Sequence, residues 1–213
     1  MKLLVVAATQ KELTKVYEHF DLAEQDFIET PNFDILITGV GMTATAFSLG
    51  QRLDKNYELV LNVGIAGSFD KKIPLGGLVN IYEDTFAELG AEDDDNFLTI
   101  DELGFGKNTF HSSYEINNLP KVKGITVNKV HGNSKSIETI TKRFEPQVES
   151  MEGAAVFYAC EQLSIPCLQI RSISNYVTPR AKETWEIGLA IKNLNDWAID
   201  FLAPPNPPQK GGQ

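Results

Sequence analysis

The chain has 213 residues, of which 42% are hydrophobic and 23% are charged, and its formal net charge is −10 at pH 7. This length and composition favour one soluble globular domain with a substantial apolar core. The negative charge argues against nucleic acid as a partner, because binding a long polyanion needs clustered cations.

The N-terminal half alternates between predicted strands and predicted helices. Continuous apolar runs, typical of strands buried on both faces, cover 3–8, 33–40 and 59–65, and helical spacing covers 11–20 and 43–53. The second and third strands end in glycine turns, Gly39-Val40-Gly41 and Gly64-Ile65-Ala66-Gly67. The alternation predicts an α/β fold with a central mixed, mostly parallel sheet flanked by helices.

The middle of the chain is less regular. A turn at 74–77 precedes a predicted strand at 78–82, and the stretch 88–106 contains the acidic run 92–95. We interpret this run as a solvated loop or sheet edge, because its spacing lacks the pattern of a calcium-binding loop. Regular patterns resume with a strand at 124–130 and a helix at 134–144, which Ser134 or Ser136 would start.

The C-terminal part returns to strand and helix. A predicted helix at 153–163 precedes a strand at 166–173 and a long amphipathic helix at 184–202. Its apolar positions are interpreted as core anchors rather than ligand contacts; they are Trp185, Leu189, Leu194 and Trp197. We assign 1–203 to one domain and predict that the proline- and glycine-rich tail 204–213 is disordered.

No apolar run is long enough to cross a membrane, and no signal peptide is recognisable. The two cysteines, Cys160 and Cys167, lack metal-ligand and redox spacing. We therefore expect a cytoplasmic protein with reduced thiols, no membrane partner and no metal or other cofactor.

Candidate ligand-binding residues follow the predicted strands, because open parallel sheets bind ligands beyond the carboxyl ends of their strands. They are Thr9 and Glu12, Gly39 and Gly41, Gly64 to Gly67, Glu152, and Ser174 with Asn175. Taken singly, each glycine pair is explained by a tight turn. Glu152 is explained as an acid at a helix start, where the helix dipole stabilises its negative charge. The turn Gly64 to Gly67 also lacks the lysine and hydroxyl residue of a P-loop.

Taken together, five ordered segments are more specific. Residues 1–12, Gly39-Val40-Gly41, Gly64-Ile65-Ala66-Gly67, Ser150-Met151-Glu152-Gly153-Ala154-Ala155 and Arg171-Ser172-Ile173-Ser174-Asn175 resemble the purine nucleoside phosphorylase and nucleosidase superfamily. The resemblance covers nearly the whole chain, except the acidic loop around Asp93 and the tail. It implies a phosphorylase/nucleosidase-like fold and an enzyme that cleaves the N-glycosidic bond of a nucleoside.

The resemblance also implies roles for individual residues. Glu152 would bind the ribose hydroxyl groups and Met151 would pack against the sugar, while Glu12 would orient the attacking water. Ala66, Gly67 and Ser174 are further expected substrate contacts. Carboxylates suit this reaction, because the sugar gains oxocarbenium character as the bond breaks.

Asn175 departs from the adenine-releasing nucleosidases, which have a proton-donating aspartate at this position. An asparagine amide cannot supply a proton, but it can donate to N7 or O6 of a purine and accept from a ring N–H. These bonds suit a 6-oxopurine, and the chain resembles the futalosine hydrolase branch, which implies release of hypoxanthine in menaquinone biosynthesis. The simpler alternative is that Asn175 caps a turn.

Three other functions remain open at this stage: a methylthioadenosine/S-adenosylhomocysteine nucleosidase, a phosphate-dependent phosphorylase and a non-catalytic nucleoside-binding protein. Arg180, Lys135 and Lys107 are candidates for meeting the benzoate of futalosine, although most such side chains are simply solvated. His131 could line the base or sugar pocket, but a polar loop residue is the more usual explanation. The resemblance further implies a homodimer.

Overall fold

A computed structural model describes residues 2–94, 96–112, 114, 116–179 and 185–203. Its strands are β1 Leu3–Ala7, β2 Phe27–Glu29, β3 Phe33–Ile37, β4 Leu59–Ser68, β5 Leu78–Phe86, β6 Gly90–Asp93, β7 Asn96–Thr99, β8 Thr109–His111, β9 Lys121–Thr126, β10 Val148–Ser150 and β11 Cys167–Tyr176. Its α-helices are α1 Thr14–His19, α2 Met42–Arg52, α3 Ser134–Phe144, α4 Gly153–Leu163 and α5 Ile187–Leu202, and a 3₁₀ turn at Gln10–Leu13 precedes α1.

The central sheet mixes parallel and antiparallel pairings. Its described strands follow the order β10-β9-β5-β11-β4-β1-β3-β2, with β8 added beside β5. The short strand β10 also pairs with the end of β4, so five strands (β4, β10, β9, β5 and β11) close into a ring. The predicted α/β fold with a mixed sheet flanked by helices is confirmed.

Helices cover the two faces of the β1–β4 region. One apolar cluster joins β1, β3 and β4 to α1 and α5 through residues such as Leu13, Val16 and Leu194. The other joins the opposite face to α2 and α4 through residues such as Leu49 and Phe157. Each buried Leu, Val or Phe side chain contributes about 1.5–3 kcal/mol of hydrophobic free energy, so these clusters fix the strand ends that carry the polar residues.

Some local features were not predicted, and one prediction was wrong. The acidic run was predicted as a solvated loop or sheet edge, and its described residues are exposed at the end of an antiparallel hairpin of β6 and β7, which was not predicted. Strand β8 was not predicted either. Helix α3 is capped by neither Ser134 nor Ser136, because the side chain of Asn133 accepts hydrogen bonds from the backbone amides of Lys135 and Ser136.

Helix α5 also differs from its prediction. Leu194 is buried, but Leu189 is 40% exposed and Trp185 lines a cavity, so these two are not core anchors. Within the described part of the chain, no helix is long and apolar enough to span a membrane. The predicted disordered tail 204–213 lies outside the described residues.

Candidate active site

A cavity of about 320 Å³ opens at the ends of β1, β4, β10 and β11. The seven residues to which the resemblance assigns roles all line it; they are Glu12, Ala66, Gly67, Met151, Glu152, Ser174 and Asn175. Of the other candidates, Thr9 and Ile65 also line it, whereas Gly39, Gly41 and Gly64 do not. Strand ends from distant parts of the sequence therefore place these residues around one space, which is large enough to hold part of a nucleoside.

Glu12 is fixed by its own turn. Its Oε2 accepts hydrogen bonds from the backbone amide of Thr9 at 3.0 Å and from the Thr9 hydroxyl at 3.2 Å, while Oε1 accepts from the Ile65 amide at 3.2 Å. This is a capping box at the start of the 3₁₀ turn. A Cβ atom at Gly64 would lie only 2.9 Å from Oε1, so a side chain there would displace the carboxylate.

The environment of Glu12 favours proton uptake. Burial raises the pKa of Glu12, and the Arg171 guanidinium and the Ile65 amide oppose that rise. Arg171 is itself fully buried and donates through Nη1 to the backbone oxygen of Asn62 at 3.4 Å and to Asn62 Oδ1 at 3.3 Å. Glu12 is thus a carboxylate poised to accept a proton, with a fixed cation nearby.

Asn195 on α5 holds the Glu12 segment in place. Its Oδ1 accepts from the amides of Lys15 and Val16 at 3.0 and 3.1 Å, which satisfies free N–H groups at the start of α1. Its Nδ2 donates to the backbone oxygen of Glu12 at 2.8 Å. One fully buried amide therefore ties the last helix to the candidate catalytic turn.

Glu152 reaches from the start of α4 to the glycine turn after β3. Its Oε1 accepts from the Gly41 amide at 2.9 Å, and its Oε2 lies 3.3 Å from the Met151 amide. Gly41 has φ +94°, a conformation that side chains disfavour, and it precedes the first turn of α2. A carboxylate has acceptor sites beyond these two bonds, so Glu152 can still bind ligand hydroxyl groups.

Asn175 owes its position to an irregularity in β11. The pairing of β11 with β4 shifts register between Ile173 and Asn175, which is a β-bulge at Ser174. The Ser174 hydroxyl lies 2.9 Å from Asn175 Oδ1, and Asn175 Nδ2 donates to the Tyr176 backbone oxygen at 3.3 Å. The bulge therefore brings consecutive residues, Ser174 and Asn175, to the same cavity.

Sequence reasoning missed a histidine–glutamate pair on this wall. His131 Nδ1 lies 2.6 Å from Glu149 Oε2, and the His131 amide donates to Glu149 Oε1 at 3.0 Å. Both residues line the cavity, so His131 is not an ordinary polar loop residue. The available signal was position: His131 follows a predicted strand, and Glu149 lies three residues before Glu152.

Basic residues are sparse around the cavity. Of the three candidates for the benzoate, Lys107 forms an ion pair with Glu161 at 2.9 Å beside a different groove, Lys135 is exposed on α3, and Arg180 lies outside the described residues. Lys11, which was not predicted, lines the cavity. In the part of the chain that the structure covers, no group of three or more His, Cys, Asp or Glu could hold a metal ion.

The arrangement combines a proton acceptor, a hydroxyl-binding carboxylate and an amide. The charge of Glu152 also raises the pKa of Glu12, so the two carboxylates interact with each other. Two carboxylates near one sugar stabilise positive charge that develops on its ring. The geometry is therefore suited to substitution at a glycosidic carbon.

Comparison with known proteins points in the same direction. A family model described as the phosphorylase superfamily matches residues 122–203. A futalosine hydrolase from Streptomyces coelicolor is 34% identical over 186 residues, which cover 81% of this chain and 79% of that protein.

Two solved structures share the fold. A futalosine hydrolase mutant of Helicobacter pylori gives a TM-score of 0.77 at 19% identity and covers 93% of this chain and 96% of its own. A 5′-methylthioadenosine/S-adenosylhomocysteine nucleosidase from Colwellia psychrerythraea, in complex with adenine, gives 0.74 at 20% identity, with 95% and 94% covered. At these identities the structures establish the architecture alone.

Proposed function

The chain belongs to the futalosine hydrolase family, and we propose that it cleaves the N-glycosidic bond of futalosine with water. The observation that carries the proposal is the meeting of Glu12, Glu152 and Asn175 around one cavity. Each has a distinct task in such a reaction: one residue activates water, one holds the sugar and one binds the departing base.

Glu12 is the proposed general base. Burial raises its pKa, so the carboxylate gains affinity for the proton that water loses on attack. The bond between C1′ and the purine nitrogen weakens first, and the sugar acquires positive charge. Glu152 stabilises that charge and binds the ribose hydroxyl groups, while Met151 packs against the ring.

Asn175 is proposed to select a 6-oxopurine, which makes hypoxanthine and dehypoxanthine futalosine the products. Its amide can donate to N7 or O6, and its oxygen can accept from a ring N–H. This reaction would place the enzyme in menaquinone biosynthesis, and we propose a cytoplasmic location. No cofactor takes part in the proposed chemistry.

The distribution of cations supports hydrolysis over phosphorolysis. Lys11 is the one lysine or arginine among the described residues that line the cavity. Arg52 lines a separate surface depression, where its guanidinium lies 4.5 Å from the centre of the Phe27 ring. Arg171 is buried and donates to Asn62. A phosphate ion would need several free cationic donors in the cavity.

Incubation of the purified protein with futalosine in phosphate-free buffer tests this proposal. We expect chromatography to show that hypoxanthine is released, at a rate that added phosphate does not change. Strict phosphate dependence would identify a phosphorylase, and equally fast cleavage of methylthioadenosine would identify the nucleosidase alternative.

The Glu12→Gln variant separates catalysis from binding alone. Glutamine keeps the size of the side chain but cannot accept the proton, so turnover should fall by about 100-fold or more while futalosine still binds. Unchanged turnover would refute the role of Glu12. A wild-type protein that binds futalosine without cleaving it would be a binding protein.

We also propose a homodimer built on a second, apolar groove of about 700 Å³ between α2 and α4. Phe105 and Tyr158 line this groove and are 80% and 46% exposed, and Phe47 on α2 is 66% exposed. Exposed aromatic side chains in one region are typical of subunit contacts. Sedimentation of the wild type and of Phe47→Asp should show a dimer and a monomer, respectively.

A further inference from the structure

The His131–Glu149 pair has the geometry of an oriented proton donor. The short contact of 2.6 Å joins Nδ1 to a carboxylate whose side chain is only 2% exposed. A second bond from the His131 amide to the same carboxylate fixes the position of the backbone. With Nδ1 engaged, Nε2 is the ring nitrogen available to a ligand, and the described residues offer it no hydrogen-bond partner.

The pair lies beside the proposed base-binding residue. Gly67 on β4 pairs with Asn175 of β11 on one side and with Glu149 of β10 on the other. A Cβ atom built on Gly67 would lie 3.2 Å from Asn175 Nδ2 and 3.6 Å from Glu149 Cγ. Asn175 and Glu149 therefore flank one small residue on the same wall of the cavity, and His131 is in hydrogen-bond contact with Glu149.

The leaving purine needs a proton that Asn175 cannot give. When the glycosidic bond breaks, its electron pair moves onto the purine ring, and an unprotonated purine anion is a poor leaving group. The Asn175 amide supplies a hydrogen bond but no proton. A separate acid on the same wall would complete the chemistry, and His131 is the histidine that lines this cavity among the described residues.

We propose that His131 is the general acid that protonates the leaving base, and that Glu149 is the positioning residue that orients its ring. This inference rests on the proposed hydrolysis of a purine nucleoside. The bond from C1′ to the purine breaks, its electron pair passes to the base, and the Nε2 proton moves to N7. Water forms the new bond to C1′ and gives its proton to Glu12, and exchange with solvent restores both groups.

The charged groups that face His131 come from several elements. Glu149 on β10 contacts it directly, and the same cavity is lined by Glu12 after β1 and by Glu152 at the start of α4. Among the described residues of the lining, Lys11 is the cation, and it is next to Glu12 in the chain.

The test compares two histidine–glutamate pairs in the same chain. His131→Gln should lower turnover of futalosine by about 100-fold or more, in the range expected for loss of a general acid. His111→Gln is the matched control, because His111 Nε2 contacts Glu83 at 3.2 Å in an exposed pair outside the cavity. The control should keep wild-type turnover. Wild-type turnover of futalosine by His131→Gln would overturn the inference.

A second substrate separates proton donation from structural damage. Futalosine methylated at N7 carries a fixed positive charge, so its base leaves as a neutral molecule without a proton. His131→Gln should cleave this substrate within a few-fold of the wild-type rate. Equal losses on both substrates would show that His131 acts structurally and would overturn the assignment. Failure of the wild type to cleave either substrate would instead refute the proposed function itself.

Glu149→Gln tests the positioning role. Glutamine keeps an oxygen that can accept from Nδ1 but removes the charge that compensates the imidazolium, so turnover should fall by about tenfold to 100-fold. On futalosine methylated at N7, whose base needs no proton, Glu149→Gln should stay within a few-fold of the wild-type rate. Equal losses on the two substrates would overturn the role of Glu149.

Discussion

Gly64 places the proposed catalytic carboxylate. A Cβ at this position would lie 2.9 Å from Glu12 Oε1. The backbone of Gly64 has no positive φ, so the main effect of an alanine side chain would be to displace the Glu12 carboxylate. Gly64→Ala should therefore fold normally but turn over substrate about 100-fold more slowly, because the displaced carboxylate no longer holds water.

The matched control for this change is Gly50→Ala. A Cβ at Gly50, on α2, would meet nothing within 4 Å, and alanine in a helix adds about 0.5–1 kcal/mol of stability. Its turnover should equal that of the wild type. Equal activity in the two variants, measured beside circular dichroism spectra, would show that Glu12 tolerates displacement.

Asn175 is the residue on which base selection is proposed to depend. Asn175→Asp adds a carboxyl group that can protonate N7 of adenine, so the ratio of kcat/KM for methylthioadenosine to that for futalosine should rise by about tenfold or more. The aspartate also loses the donated bond to the Tyr176 oxygen, which lowers activity on both substrates without changing their ratio. An unchanged ratio would place base selection elsewhere.

Among individual residues, the sequence predicted those whose position near the end of a strand marks them as candidate ligand contacts. Glu12 and Glu152 follow the ends of β1 and β10, Asn175 lies in the last residues of β11, and all three line the cavity. The His131–Glu149 pair was missed because it joins two segments 18 residues apart. Each residue alone has an ordinary explanation, and only the pairing of β9 with β10 brings them together.

At the scale of elements, helix α5 supports the active site through one side chain. Asn195→Ala removes the acceptor for the Lys15 and Val16 amides and the donor to the Glu12 oxygen. Since buried groups left without partners cost about 1–3 kcal/mol each, the free energy of unfolding should fall by about 2–4 kcal/mol. Urea denaturation measures this loss.

An exposed asparagine provides the comparison. Asn56 lies in the exposed turn before β4, and its backbone amide, rather than its side chain, bonds to Asp54. Asn56→Ala should change the free energy of unfolding by less than about 0.5 kcal/mol. If Asn195→Ala were equally mild, α5 would not support the Glu12 turn.

Long apolar or periodic elements were predictable, and short ones were not. The spans of α3 and α4 agree with their patterns, whereas β8 and the β6–β7 hairpin were missed. Three- and four-residue strands are too short for a period to stand out, and pairing with distant neighbours decides them. The bulge at Ser174 likewise arises from the register between two strands.

At the scale of the whole molecule, a buried polar network crosses the core beneath the cavity. Hydrogen bonds link its members in the order Arg171, Asn62, Gln169, Asp84, Thr126 and the Ala154 amide. The last bond satisfies a free N–H in the first turn of α4, next to Glu152. A Cβ at Gly153 would lie 2.1 Å from Asp84 Oδ2, so the helix can approach the network only with glycine there.

Asp84 makes this network sensitive to pH. Burial raises its pKa from 3.8 to about 6, against the opposing hydrogen bonds from Gln169 and Thr126. Between these values the folded protein holds a proton that the unfolded chain has lost, so stability falls as pH rises from about 4 to about 6 and stays low above that. The difference corresponds to about 3 kcal/mol.

Asp84→Asn tests this expectation, because asparagine is neutral at every pH in the window. Burial also raises the pKa of Glu12, which adds a decline of the same sign, but Glu12 titrates in both proteins and cancels in their difference. Urea denaturation from pH 3 to pH 8 should therefore show the wild type losing about 3 kcal/mol relative to Asp84→Asn. The exposed control Asp101→Asn should parallel the wild type, and a constant difference between Asp84→Asn and the wild type would mean that Asp84 ionises as readily in the core as in water.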